Sequence, residues 1–183
     1  MAKTVHIREE IIVPEGVEVV INGLNVKVKG PKGEVQRNFN YARGIQIMLK
    51  DNRVIVLETF FADRKRRAQL YSILAHIENM IKGVTKGWKY KLKIVSSHFP
   101  VTARVSNDEV LIDNFLGERA PRRAKIIKSV SVRIDGKDII VEGIDLEAVA
   151  QTAANIELAT KIRDKDRRVF VDGIYVYEKG VAE

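Results

Sequence analysis

The sequence predicts an α+β fold made of two tandem copies of one unit, each a small antiparallel sheet with a helix packed on one face. Three observations carry this. Apolar residues alternate at strand spacing in both halves, one strongly helical run occurs in each, and the elements follow the same order twice.

In the first half Val17, Val19 and Ile21 alternate, and Val26 and Val28 follow two apart. Asn22-Gly23 lies between them, the strongest short hairpin signal. Gly30-Pro31-Lys32-Gly33 marks a second turn. Ile45, Ile47 and Leu49 predict another strand, Lys50-Asp51-Asn52 a turn, and Val54-Ile55-Val56-Leu57 the next strand. A helix should start near Asp63, a good N-cap, and stop at Gly83. Its Leu70, Leu74, Ile77 and Ile81 recur at helical spacing, with Ile73 and Met80 alongside.

The second half repeats the order. A shift of 84 sets Val26-Lys27-Val28 on Val110-Leu111-Ile112 and Gly33-Glu34 on Gly117-Glu118. A shift of 85 sets Leu49-Lys50-Asp51 on Ile134-Asp135-Gly136 and Val54-Ile55-Val56 on Ile139-Ile140-Val141. A shift of 79 sets Ala75-His76-Ile77-Glu78 on Ala154-Asn155-Ile156-Glu157, so the first copy carries extra residues around Thr59–Arg67. The second helix shows Leu146, Val149, Ala153 and Ile156 on one face, with Asp145 as its cap. We expect domains at 1–82 and 83–183. Between Gly83 and Pro100 two registers stay open. The segment either opens the second repeat or, with Tyr90 and Leu92 against Val169 and Val171, closes the first.

That segment contains Gly87-Trp88-Lys89-Tyr90-Lys91-Leu92-Lys93-Ile94, which interleaves aromatics with lysines. Strict alternation puts Trp88, Tyr90, Leu92 and Ile94 on one face of a strand and the lysines on the other. Stacking platforms for nucleobases need both on one exposed surface. The aromatic face is therefore expected in a core and the lysines in solvent or against phosphate.

Among 183 residues, 32 Lys+Arg against 24 Asp+Glu give a net charge of +8 and a pI near 9.7. This favours a polyanionic partner, nucleic acid above all, over a merely basic soluble protein or an anionic membrane surface. Cysteine is absent, which excludes disulfides, thiolate zinc sites and cysteine nucleophiles. The N-terminal MAKTVHIREEIIVPEGV lacks the apolar core of a secretory signal, and no run of about 18 apolar residues suggests a membrane span. A soluble cytoplasmic protein is expected.

Catalytic groups do not converge in the sequence. His6, His76 and His98 are far apart and lack metal-ligand spacing. Neither a Gly-x-Ser-x-Gly elbow nor a P-loop occurs. Gly30-Pro31-Lys32-Gly33 sits between strands and offers no helix N-terminus to phosphate, so it reads as a turn whose Lys32 could touch a phosphate. The acid pairs Glu9-Glu10 and Asp108-Glu109 read as solvated charges. No enzyme, cofactor, metal or small-molecule substrate is expected.

Basic clusters say more. Asp63-Arg64-Lys65-Arg66-Arg67 precedes the first helix. Gly117-Glu118-Arg119-Ala120-Pro121-Arg122-Arg123-Ala124-Lys125 fills a connection, and Lys161-Ile162-Arg163-Asp164-Lys165-Asp166-Arg167-Arg168 follows the second helix. Pro121 bars a helix, so the middle cluster is expected to project from a loop. The planar fork of arginine suits phosphate.

The tail KIRDKDRRVFVDGIYVYEKG, Lys161–Gly180, resembles the C-terminal signature of the large-subunit ribosomal protein six family in its archaeal and eukaryotic form. The matching positions are Ile162, Lys165, Arg168, Phe170, Asp172, Gly173, Ile174, Tyr175, Val176 and Lys179. Leu158 departs from the pattern, which usually has Gln there. The segments GPKGEV, GVTKGWKYKLKIV, HFPV and NFLGERAPRRAKI extend the resemblance over nearly the whole chain. The bacterial Tyr-Lys-Gly-Lys-Gly tail is missing, which points to the archaeal type.

The resemblance implies two repeated α+β domains bound to large-subunit rRNA near the sarcin–ricin loop and the translation-factor site. It implies that the C-terminal domain makes the main rRNA contact and the N-terminal domain faces outward, near the stalk base. Implied partners are rRNA and neighbouring large-subunit proteins, with translation factors nearby and no membrane. The residues expected to hold phosphates are Arg119, Arg122, Arg123, Lys125, Lys161, Arg163, Lys165, Arg167, Arg168 and Lys179. The rival reading is a protein–protein adaptor of two modules with incidental basic charge.

Overall fold

The computed structural model describes residues 4–51, 53–166 and 168–182. The chain divides into two compact units, residues 1–86 and 87–183.

Unit 1 holds β1 (Thr4–Ile12), β2 (Glu18–Asn22), β3 (Asn25–Gly30), β4 (Gly33–Asn38), β5 (Gln46–Lys50), β6 (Val54–Ala62) and α1 (Arg64–Thr85). The strands form two antiparallel sheets, β1-β6-β5 and β2-β3-β4. Strand β1, rich in charge, adds a strand ahead of the alternation that begins at Val17. Helix α1 is capped by Asp63, whose carboxylate accepts from the Arg66 N–H at 2.7 Å. It buries Leu70, Ile73, Ile77, Met80, Ile81 and Val84 against Val26, Val28, Phe39, Ile55 and Leu57. The helix runs two residues past Gly83. Lys86 N–H closes its last turn on the Lys82 carbonyl at 2.9 Å.

The Gly30–Gly33 turn docks on the end of α1. Lys32 N–H donates to the Val84 carbonyl at 3.0 Å and its ammonium donates to the Lys86 carbonyl. Lys32 is thus tied to its own unit. A Cβ on Gly30 would lie 2.8 Å from Val84 Cγ2 and 2.9 Å from the Val84 carbonyl oxygen. Gly30→Ala should therefore lower stability by about 1–3 kcal/mol, read as a lower urea midpoint at unchanged m-value.

Unit 2 holds β7 (Trp88–Val95), β8 (Thr102–Ser106), β9 (Glu109–Asp113), a single 3-10 turn (Phe115–Gly117), β10 (Arg122–Lys125), β11 (Val130–Asp135), β12 (Asp138–Gly143), α2 (Leu146–Ala159) and β13 (Gly173–Val181). Its sheets are β11-β12-β7-β13 and β10-β9-β8, both antiparallel. Helix α2 is capped by Asp145, which accepts from the Glu147 N–H at 3.1 Å. The helix buries Val149, Ala153 and Ile156 among Leu92, Ile112, Ile139 and Val141.

The duplication is visible in backbone detail. Gly23 and Asn107, 84 positions apart, both turn their hairpins at positive φ (62° and 51°). Asp51 and Gly136, 85 apart, do the same at 51° and 58°. Strand β13 is what the second copy adds. It pairs with β7, so β7 lies between two neighbours where β1 has β6 alone.

Strand β7 alternates as its sequence demands. Leu92 and Ile94 are buried, and Trp88 and Tyr90 pack half-buried on the same core. On the other face each lysine meets an acid directly across the ladder. Lys89 pairs with Glu142 at 2.9 Å, Lys91 with Glu178 at 2.8 Å and Lys93 with Asp138 at 2.9 Å. Among the described residues no helix is long and apolar enough to cross a membrane.

Candidate nucleic-acid interface

Arg122–Lys125 form an edge strand, not a loop. Arg122, Arg123, Ala124 and Lys125 pair with Ile112, Leu111, Val110 and Glu109 of β9. Pro121 excludes a helix, but immediately before an edge strand its missing N–H costs nothing. Alternation along β10 turns Ala124 into the core and leaves Arg123 and Lys125 exposed.

Arg122 shares the inward side with Ala124, and its guanidinium is used within the unit. It lies 4.3 Å over the Phe115 ring. Its Nε and Nη2 donate to the two Glu118 oxygens at 2.8 and 2.6 Å, and Nη1 donates to the Ala159 carbonyl at 2.9 Å. That carbonyl is one of those left unpaired at the end of α2. These hydrogen bonds hold the Glu118 carboxyl below its ordinary range, against the opposing effect of burial.

Helix α2 crosses β10 and closes the site. Asn155 Nδ2 donates to the Lys125 carbonyl at 3.0 Å, and Thr152 Oγ1 accepts from the Ile127 N–H at 3.2 Å. The chain then leaves α2 through buried Thr160, whose hydroxyl donates to the Glu157 carbonyl at 3.1 Å and accepts from the Ile174 N–H at 2.9 Å. Lys161 and Arg163 therefore emerge beside β10. Arg122, Arg123, Lys161 and Arg163 line one shallow groove with Leu158, Ala159 and Asp164. Two clusters separated by almost forty residues thus converge, with exposed Leu158 between them.

The remaining expected residues lie around or away from this groove. Arg119 is exposed in the turn before Pro121, and Lys125 ends β10. Lys165 sits 4.8 Å over the Phe170 ring. Arg168 is paired with Asp166 at 3.0 Å, which holds that carboxyl below its usual range. Lys179, on β13, stands 6.0 Å from the Tyr90 ring. Arg167 lies outside the described residues.

A second network escaped the charge-based reading. Asp172, buried to 1% exposure, accepts from the Ser97 N–H at 2.5 Å and the His98 N–H at 3.0 Å, and meets His98 Nδ1 at 2.6 Å. The His98 ring stacks on Phe170 at 4.5 Å, and the same Phe170 ring receives Lys165. Burial pushes the Asp172 carboxyl up, but the His98 amide and ring and the Ser97 amide outweigh it and hold it at about 2. The one signal for this staple in the sequence is that His98 and Asp172 fall inside segments that carry the family resemblance.

Fold and site together define a duplicated α+β protein with a cationic groove on its second unit. Among the described residues no three His, Asp or Glu side chains gather to hold a metal. The family described as "Ribosomal protein L6" matches twice, at residues 13–87 and 99–173. The large ribosomal subunit protein uL6 of Staphylothermus marinus is 60% identical over 186 residues, covering 100% of both chains. That of Sulfurisphaera tokodaii is 59% identical, covering 98% of this chain and 96% of the relative, and that of Aeropyrum pernix is 59% identical over 99% of each. The chain belongs to the ribosomal protein L6 family of the large subunit, in its archaeal type, and is a structural protein and not an enzyme.

Proposed function

We propose that the chain is an architectural component of the cytoplasmic ribosome whose second unit, the domain expected from residue 83 onward, grips folded large-subunit rRNA near the sarcin–ricin loop and the translation-factor site. The convergence of Arg122 and Arg123 with Lys161 and Arg163 carries this reading. Arg123, Lys125, Lys161 and Arg163 hold backbone phosphates, and Arg119, Lys165, Arg168 and Lys179 extend the cationic surface. Arg122 shapes the groove from behind. Recognition depends on RNA shape and backbone, because the deep groove of an A-form duplex hides base edges. Neighbouring ribosomal proteins and passing translation factors complete the surroundings.

The test is affinity for a large-subunit rRNA fragment as a function of salt. Arg123→Ala with Arg163→Ala should weaken binding roughly 10- to 100-fold at moderate salt and flatten the log–log salt slope by about 1.5–2. An unchanged slope would overturn the phosphate contacts. Retention by a partner protein after nuclease treatment, with no RNA requirement, would favour the adaptor.

A further inference from the structure

The basic run that opens α1 is not absorbed by the groove of unit 2, and it has unusual company. Arg64, Lys65, Arg66 and Arg67 occupy the first turn of α1, all exposed, with no acid in that turn. The positive end of a helix disfavours cations, and four in succession also repel one another. Just before them, at the end of β6, Phe60 and Phe61 are 48% and 63% exposed. Ala62 turns inward, so Phe61 stands at the lip from which the cationic turn starts. Phe61 also adopts a left-handed φ of 49°, a conformation that a bulky side chain rarely takes. His6, opposite Phe60 in the ladder, already lies flat on that ring at 4.6 Å and 9°.

We propose that this lip of unit 1 is a second nucleic-acid contact, one that takes an unpaired RNA nucleotide. Its base stacks on Phe61 and its flanking phosphates meet Arg64 and Lys65. Strand β7 fails as a stacking platform because its aromatics and lysines face opposite ways. Here exposed rings and exposed cations stand within five residues, the combination that single-stranded recognition uses. Charge decides between occupants. Even with Asp63 counted, the run from Asp63 to Arg67 has a surplus of three positive charges, and a flat exposed ring beside such a run suits a base with its phosphate. An acidic protein segment would use the cations but has no need of the ring.

The experiment uses the full chain and a twelve-nucleotide single-stranded RNA containing 4-thiouridine, with a duplex of equal length as comparison. Photo-crosslinks should fall within residues 58–67 as well as in unit 2. Phe61→Ala should weaken the single strand about tenfold with little change in salt slope, whereas Phe61→Tyr should bind as the parent does. Arg64→Ala with Lys65→Ala should lower the slope by about 1.4. Duplex binding, carried by unit 2, should be insensitive to Phe61 and sensitive to Arg123→Ala with Arg163→Ala, which separates failure of one site from failure of the other. Thermal melts showing Phe61→Ala folded secure the comparison. Crosslinks confined to unit 2, equal affinity of Phe61→Ala and parent for the single strand, or occupation of the lip by an acidic protein in the absence of RNA would each overturn the proposal.

Discussion

Asp172→Ala is expected to cost on the order of 3 kcal/mol at neutral pH, lowering the urea midpoint by roughly 1–2 M. The carboxylate is buried and receives two backbone N–H groups and the His98 ring. Removing it leaves the Ser97 and His98 amides without their acceptor and frees the segment that precedes β8. Asp172→Asn separates charge from shape. Its amide oxygen can still accept both N–H groups, but the charge is gone.

The pH dependence has a defined sign. A carboxyl held at about 2 contributes its full stability above its unfolded value of about 3.9 and loses it as pH falls towards about 2. The gap in unfolding free energy between the parent and Asp172→Asn should therefore be widest above pH 4 and close as the pH approaches 2. A gap that is constant across that window would show that the charge contributes nothing.

Arg122→Ala should lower stability by about 2–4 kcal/mol, because it strips the partners of Glu118, Phe115 and the Ala159 carbonyl together. Arg122→Lys should recover little, since a point charge cannot both cover the Phe115 ring and fork onto a carboxylate. Adding Glu118→Ala to Arg122→Ala should cost less than the sum of the single changes, because the two share one interaction. The RNA salt slope of a folded Arg122→Ala protein should fall by less than about 0.5. A fall as large as that from Arg123→Ala would show that Arg122 reaches phosphate directly.

What the sequence reveals here is what short range controls. Asn22-Gly23, the caps Asp63 and Asp145, and the alternation along β7 each depend on neighbours within a few residues, and each is found in the structure. The fate of Pro121 to Lys125 depends instead on β9 arriving alongside, so the proline's veto on helix was readable and the edge strand was not. Arg122 and Arg123 look alike in the sequence. Only their alternation on β10, with α2 laid across it, turns one inward to Phe115 and the other out. Asp172 looks like any surface acid until Ser97 and His98 close over it. The groove needs β10, the end of α2 and the segment after Thr160 to meet, and no local pattern encodes that meeting.

The lysine ladder on β7 also bears on how unit 2 meets a polyanion. Lys89, Lys91 and Lys93 look like a ready electrostatic lure, yet Glu142, Glu178 and Asp138 act as built-in counterions. A diffusing unit therefore presents an electrically quiet sheet face and a groove end that keeps its charge, so the torque on approach swings the groove forward before contact. Pairing on the sheet acts as an orienting device. On the proposed reading, it would discourage flat, nonproductive landings on RNA, because the three lysines already have acidic partners within the sheet.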